Sequence, residues 1–278
     1  MIKTALSICA AVCALTPSFA FMQPMANAED PPVAEARYSS DFQGGEFEYV
    51  VNRQVYYATR SIESYENPYK LPRYISGIAS ACAVNAGGVA ITYNDRIYDN
   101  LIPNYAPKQT SIRFSYGTQS QAVDDMFSAL YSLMGTNSQG TTISGFKNGM
   151  TSYVNQRGYS LSLPQATGSY YNLNMDYLKS QLRQEKIAVL FIHSFSLVPT
   201  VGIQTKDGYD EIMNFLYDGY HTVPVYGYKE YHYYDVSGNL SQTDTYLYVQ
   251  NCYEDAGYNY LSVNTYSTID DAYIIDIH

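Results

Sequence analysis

The stretch Tyr74–Arg96, "YISGIASACAVNAGGVAITYNDR", decides the fold. It sets Cys82 at the head of a run of small and apolar residues. Ser80 stands where a helix cap is expected. Ala83, Ala86, Ala90 and the pair Gly87-Gly88 make the helix thin, at a cost in helix propensity. A thin helix can be buried close against a sheet. A cysteine at a helix N-terminus faces free backbone N–H groups and the positive end of the dipole, which favour thiolate over thiol. Three readings of Cys82 are open: nucleophile, half of a disulfide, or small packing residue. Taken alone, the stretch favours packing.

Periodicity downstream predicts three more helices. "SQAVDDMFSALYSLMG" puts Ala122, Val123, Met126, Phe127, Leu130, Tyr131 and Met134 on one face, with Gly135 as terminator. "TISGFKNGMTSYVNQRG" spaces Phe146, Met150, Tyr153 and Val154 as a helix ending at Gly158. "NMDYLKSQLRQEK" offers Asn174 as cap, with Met175, Leu178 and Leu182 in register. The period then changes. "IAVLFIHSF" suits a buried strand. "HTVPVYGYKEYHYYDVSGNLSQTDTYLYVQNCY" reads as a long hairpin turning at Ser237-Gly238-Asn239, and "AYIIDIH" as a last strand. Helices followed by strands predict an α+β fold, with N-terminal helices on an antiparallel C-terminal sheet.

Upstream, residues 1–28 combine Lys3, an apolar stretch from Thr4 to Phe21, and the small-x-small pattern Ala26-Asn27-Ala28 before Glu29-Asp30. These features read as a secretory signal peptide, and so as an exported protein, secreted or held in the cell envelope. Cys9 and Cys13 fall inside that segment. Residues 29–70 form a Tyr-rich N-terminal extension or pro-segment whose "FEYVVNRQVYYATR" suggests strands. Residues 71–278 form the main domain. A net charge of −10 with no Lys/Arg cluster argues against nucleic-acid binding, and no later stretch is apolar enough for stable membrane insertion. The chain has 32 Tyr and no Trp, which suits half-wet strand faces.

A thiolate nucleophile needs a base, and the base needs an orienting group. Of the four histidines, His221 stands at the mouth of the strand in which Val223, Val225 and Gly227 alternate. His193 sits in an apolar run and reads as core, His232 lies among tyrosines on the outer hairpin, and His278 is a frayed terminus. Asn251, on the paired strand, is the orienting candidate. Cys252 follows it and should face away, which weakens a Cys82–Cys252 disulfide.

Helix-borne Cys82, then strand-borne His221 and Asn251, is the papain-type order. "ISGIASACAVNAGGVAITYNDR" resembles the nucleophile segment of bacterial papain-like cysteine peptidases related to the bacteriocin-leader (double-glycine) peptidases. Further similarity lies in Tyr93-Asn94-Asp95, "NLIPNY", "MGT", "YVNQRGY", "HTVPVYGY" and "YLYVQN", over roughly residues 74–277. The resemblance implies an exported peptidase acting on peptide or protein substrates. Cys82 would be nucleophile, His221 general acid and base, and Asn251 the residue orienting the imidazole. No cofactor and no metal are expected, since their motifs are missing from the sequence. Two departures stand out. Ala83-Val84-Asn85 replaces the usual Gly-Pro-Thr, and "RYISGIASA" lacks the Gln that helps bind an oxyanion. They leave two alternatives: a weak or inactive binding or surface protein on the same scaffold, and an acyltransferase of the superfamily. HExxH, CxxC, Walker and GxGxxG motifs are absent. "DVSGNLSQTDT" reads as a turn rather than a calcium loop, because its Gly238 falls at the fourth place and no Glu closes it.

Overall fold

The computed structural model describes residues 35–38, 49–105, 108–109, 114–168, 172–253 and 257–278. The segment read as a signal peptide lies outside them. In chain order the elements are β1 (Arg37–Tyr38), β2 (Tyr49–Tyr56), β3 (Thr59–Glu66), α1 (Cys82–Asp95), β4 (Lys108–Gln109), β5 (Phe114–Ser115) and α2 (Gln121–Leu133). There follow β6 (Thr141–Thr142), α3 (Ile143–Gln156), β7 (Leu161–Ser162), α4 (Met175–Leu182), β8 (Ile187–Pro199), β9 (Ile203–Lys206), β10 (Tyr209–Tyr234), β11 (Leu240–Gln250), β12 (Tyr258–Ser262) and β13 (Thr268–Ile277). The fold is mixed helix and sheet, with a nine-stranded antiparallel sheet at its centre.

The organising element is β10, a 26-residue strand. Its first half pairs with β2 and β9, its middle with β8, and its last part with both β11 and β3. The register shifts after Tyr217 and after Val225, and such irregularities bend a strand. The two ends of β10 meet at the turn between β2 and β3, where Tyr57 N–H donates to Gly208 O (3.0 Å) and Ala58 N–H to Tyr234 O (2.9 Å). The extension read at residues 29–70 therefore contributes two strands to the sheet.

The apolar run in "IAVLFIHSF" becomes β8, buried on both faces. One face carries Val189 and Phe191 into a cluster with α1, α2 and α3; the other carries Leu190 and Ile192 into a cluster with Leu178 and Leu182 of α4. All 14 residues of α1 are buried between β10 and α2–α3. The predicted helix faces of α2 and α3 are the buried ones: Val123, Met126, Phe127 and Leu130, then Phe146, Met150, Tyr153 and Val154. Gly135 and Gly158 end these helices with φ of 61° and 84°, values costly for a residue with a Cβ.

Three local expectations change. Ser80 does not cap α1. It has a φ of 57°, and its hydroxyl donates to Ser138 O (3.1 Å), so Ala81 is the N-cap without a side-chain hydrogen bond. His278 is not frayed, because its backbone exchanges hydrogen bonds with Ser160 (2.7 and 3.0 Å). His193 is not core; its side chain is 36% exposed, 2.6 Å from Asp270.

Candidate functional site

Cys82 opens α1, where the sequence puts it, and is fully buried. The α1 packing drives the thiol against β10 at Thr222. The backbone N–H groups and the Thr222 side chain pull its pKa down, but desolvation outweighs them and pushes it up to about 11. Thr222 Oγ1 is buried without a partner in ordinary hydrogen-bond geometry. The helix N-terminus thus fails to deliver the thiolate expected of it, because no water reaches the sulfur.

His221, one residue earlier, points the other way. In an antiparallel pair, directly opposed residues share a face. Thr222 is opposite Phe191, on the α1–α3 side, whereas His221 is opposite Ile192, on the α4 side. There the imidazole is sandwiched between Tyr253 (ring centroids 4.6 Å, 8°) and Phe195 (5.3 Å, 15°). Its Nε2 lies 2.7 Å from Asn251 O, a carbonyl that can only accept, so the proton sits on Nε2. Nδ1 is buried with no hydrogen-bond partner. Burial lowers the imidazole pKa to about 4, with the Asn251 carbonyl opposing weakly.

Asn251 and His221 are therefore brought together, but through the Asn251 backbone carbonyl. The Asn251 side-chain oxygen accepts the Tyr253 N–H (3.1 Å) and so fixes the ring that covers His221. Cys82 and His221 lie on opposite faces of β10. The neighbour of Cys82 is Cys252, whose thiol burial raises well above the usual value, with Cys82 adding to the rise. Both thiols are free. Cys252 sits just past β11 with a φ of 58°, and its Sγ–H donates to Gln250 Oε1 (3.0 Å). Asn85, one helical turn into α1, donates to Cys252 O (3.3 Å) and accepts from Ser76 N–H (2.8 Å). The sequence pattern does not single out Thr222 or Gln250, and it names Asn85 only within the departure Ala83-Val84-Asn85.

No protein-family model matches the chain, and neither a curated protein nor a solved structure matches it.

Tyr93-Asn94-Asp95, at the end of α1, is tied into the fold by hydrogen bonds. Tyr93 OH donates to Glu185 O (2.6 Å) and accepts from Asn67 and Arg96 (2.7 Å each), and Asp95 accepts the Ile102 N–H (2.8 Å). Burial raises the Asp95 carboxyl to about 6. Among the described residues, the ligand atoms of Glu63, Glu230 and His232 lie within 4.8 Å of one another. Their cation is already present as a side chain: Lys179 Nζ is 2.8 Å from Glu230 and 3.2 Å from Glu63, and Arg183 is 2.7 Å from Glu63. Among the described residues no helix is long and apolar enough to cross a membrane.

Proposed function

We propose that the chain is an exported, papain-like scaffold that works by binding peptide or protein partners and does not hydrolyse them. The observation that carries this reading is the separation of Cys82 and His221 onto opposite faces of β10. Papain-type chemistry needs the imidazole within hydrogen-bond reach of the thiol, so that the proton moves as the nucleophile forms. With a thiol near 11 and an imidazole near 4, both groups rest at neutral pH in their unreactive neutral forms, with no pairing to rescue them. The sequence departures agree with this, since no Gln precedes Cys82 to bind an oxyanion. What supports the papain-like part is the α+β arrangement, a buried cysteine-headed helix on a large antiparallel sheet, followed in the expected chain order by His221 on β10 and by Asn251, which lies just past the end of β11 rather than on it.

The test has two arms. Folded protein is treated with iodoacetamide at pH 8 and, separately, with unfolded protein substrates. Cys82 stays unmodified until denaturant is added, and any background cleavage is the same in Cys82→Ala. Cleavage that Cys82→Ala abolishes would sink the proposal.

A second reading is favoured by one contact, the Thr222 neighbour of Cys82 being the residue after His221. In it the chain is a cysteine peptidase, or an acyltransferase, acting through Cys82, His221 and Asn251. It requires the Tyr220–Val225 part of β10 to move by one residue, which exchanges the faces of His221 and Thr222.

A further inference from the structure

Four residues of the N-terminal extension, Glu35–Tyr38, run from an exposed start at Glu35 and Ala36 to a buried end at Tyr38, as a bound peptide with one deep anchor would. They add nothing to the nine-stranded sheet. Their backbone pairs with β6 alone, Arg37 opposite Thr142 and Tyr38 opposite Thr141, and Arg37 Nη1 donates to Gly140 O (3.1 Å). Three side-chain anchors fix this short bridge. The Glu35 carboxylate accepts the Ser144 N–H (2.8 Å) and the Ser144 hydroxyl in the first turn of α3, where free N–H groups and the helix dipole favour an anion. Tyr38 is 1% exposed, with its ring edge-on to Phe191 (4.9 Å) and Tyr220 (5.3 Å). Its hydroxyl donates to Asp270 Oδ2 (2.8 Å), and the other oxygen of that carboxylate lies 2.6 Å from His193 Nδ1.

Backbone pairing with an otherwise unpaired two-residue segment, a carboxylate at a helix N-terminus and an aromatic ring in a deep pocket are three devices that can hold an extended peptide. Here all three converge on four consecutive residues. We infer that the space bounded by Gly140–Ser144, Phe191, Tyr220 and Asp270 is a peptide-recognition groove, filled in cis by Glu35–Tyr38; the inference rests on the binding function proposed above. The partner it fits is an extended peptide with a carboxylate side chain three residues before a tyrosine. Asp270 selects the phenol, since a phenylalanine would leave that carboxylate oxygen without its donor. The segment tethered in cis competes at an effective concentration of order millimolar, so a free peptide binds the intact chain only weakly.

The test uses the full chain carrying Glu35→Gln and Tyr38→Ala, and a fluorescein-labelled peptide of the sequence Val33–Ser40, followed by anisotropy. The double variant is expected to bind it saturably, about tenfold or more tighter than the wild type does. Replacing the tyrosine of the peptide by alanine is expected to weaken binding by about tenfold. A variant that melts cooperatively yet binds neither peptide, or both alike, overturns the groove. If the double variant does not fold, Glu35→Lys, at an exposed position, replaces it. Peptide binding about threefold tighter than wild type then supports the groove, and wild-type affinity overturns it. Cleavage of the peptide that depends on Cys82 would overturn the non-catalytic reading while leaving the groove intact. Loss of peptide binding without cleavage does the reverse.

Discussion

A buried imidazole between two aromatic rings writes itself into the acid stability of the protein. His221 has a folded-state pKa near 4, below its ordinary value of 6.5. The fold therefore favours the neutral ring, and this contribution is complete above pH 6.5 and lost as pH falls toward 4. The lost stability is about 3 kcal/mol. His221→Phe keeps a ring between Phe195 and Tyr253 but does not titrate. At pH 7.5 it should be less stable than wild type by about 1 kcal/mol, for the lost bond to Asn251 O. By pH 4 the order should reverse. Urea midpoints at three pH values measure this, and parallel curves for the two proteins would refute it. Asp95 acts in the opposite sense: with its folded pKa raised to about 6, its relative contribution is present in acid and fades as pH rises through 6. Asp95→Asn, keeping an oxygen for the Ile102 N–H, should stabilise the protein at pH 7.5 by about 2 kcal/mol. That Cys82 opens a helix and His221 lies on a strand could be read from the local sequence pattern, whereas Asn251, expected on the paired strand, lies just past its end. The facing of Cys82 and His221 could not be read. Alternation puts His221 with Val223 and Val225, and Thr222 with Pro224 and Tyr226, but this sheet is buried on both faces, so an apolar set does not reveal which face meets α1.

At the scale of the element, α1 was legible because its composition has one physical use. Small residues along a helix permit close approach on every side, and a Cβ on Gly88 would lie 2.2 Å from Cε1 of the Phe127 ring. Gly88→Ala gains about 1 kcal/mol of helix propensity. It meets an overpacking cost of 1–3 kcal/mol or more, because the atom it strikes belongs to a packed ring. A net destabilisation of about 2 kcal/mol is expected, and Gly88→Ala/Phe127→Leu should recover part of it by making room. If thermal melts show Gly88→Ala at or above the wild-type midpoint, the close packing of α1 on α2 is wrong. The cap of α1 was not legible. A serine before a helix suggests a cap, but here tertiary contact holds Ser80 at positive φ and spends its hydroxyl on Ser138 O.

At the scale of the molecule, β10 determines the architecture, and only its second half was apparent in the sequence as one arm of a hairpin. The first half, "YDEIMNFLYDGY", mixes charged and apolar residues because one face, with Asp210, Ile212, Asn214 and Leu216, is buried while Glu211 and Met213 on the other face are partly or fully open. Closure of the strand on itself is a tertiary event with a definite polar centre. Asp210, near one end of β10, is fully buried and paired with Arg60, and it accepts the hydroxyls of Tyr57 (3.2 Å) and Tyr233 (3.1 Å), the latter from the other end. Removing the cation leaves a buried carboxylate with hydroxyl donors alone, so Arg60→Met should cost about 3 kcal/mol. Removing the charge as well relieves this penalty. Arg60→Met/Asp210→Asn should therefore lie within about 1 kcal/mol of wild type, since a buried ion pair contributes little net stability over a neutral replacement. The two variants and Asp210→Asn complete a double-mutant cycle by urea denaturation. A coupling energy near zero would mean that the ends of β10 are not held together through this pair, and that the turn at Tyr57–Ala58 closes the strand through its backbone hydrogen bonds alone.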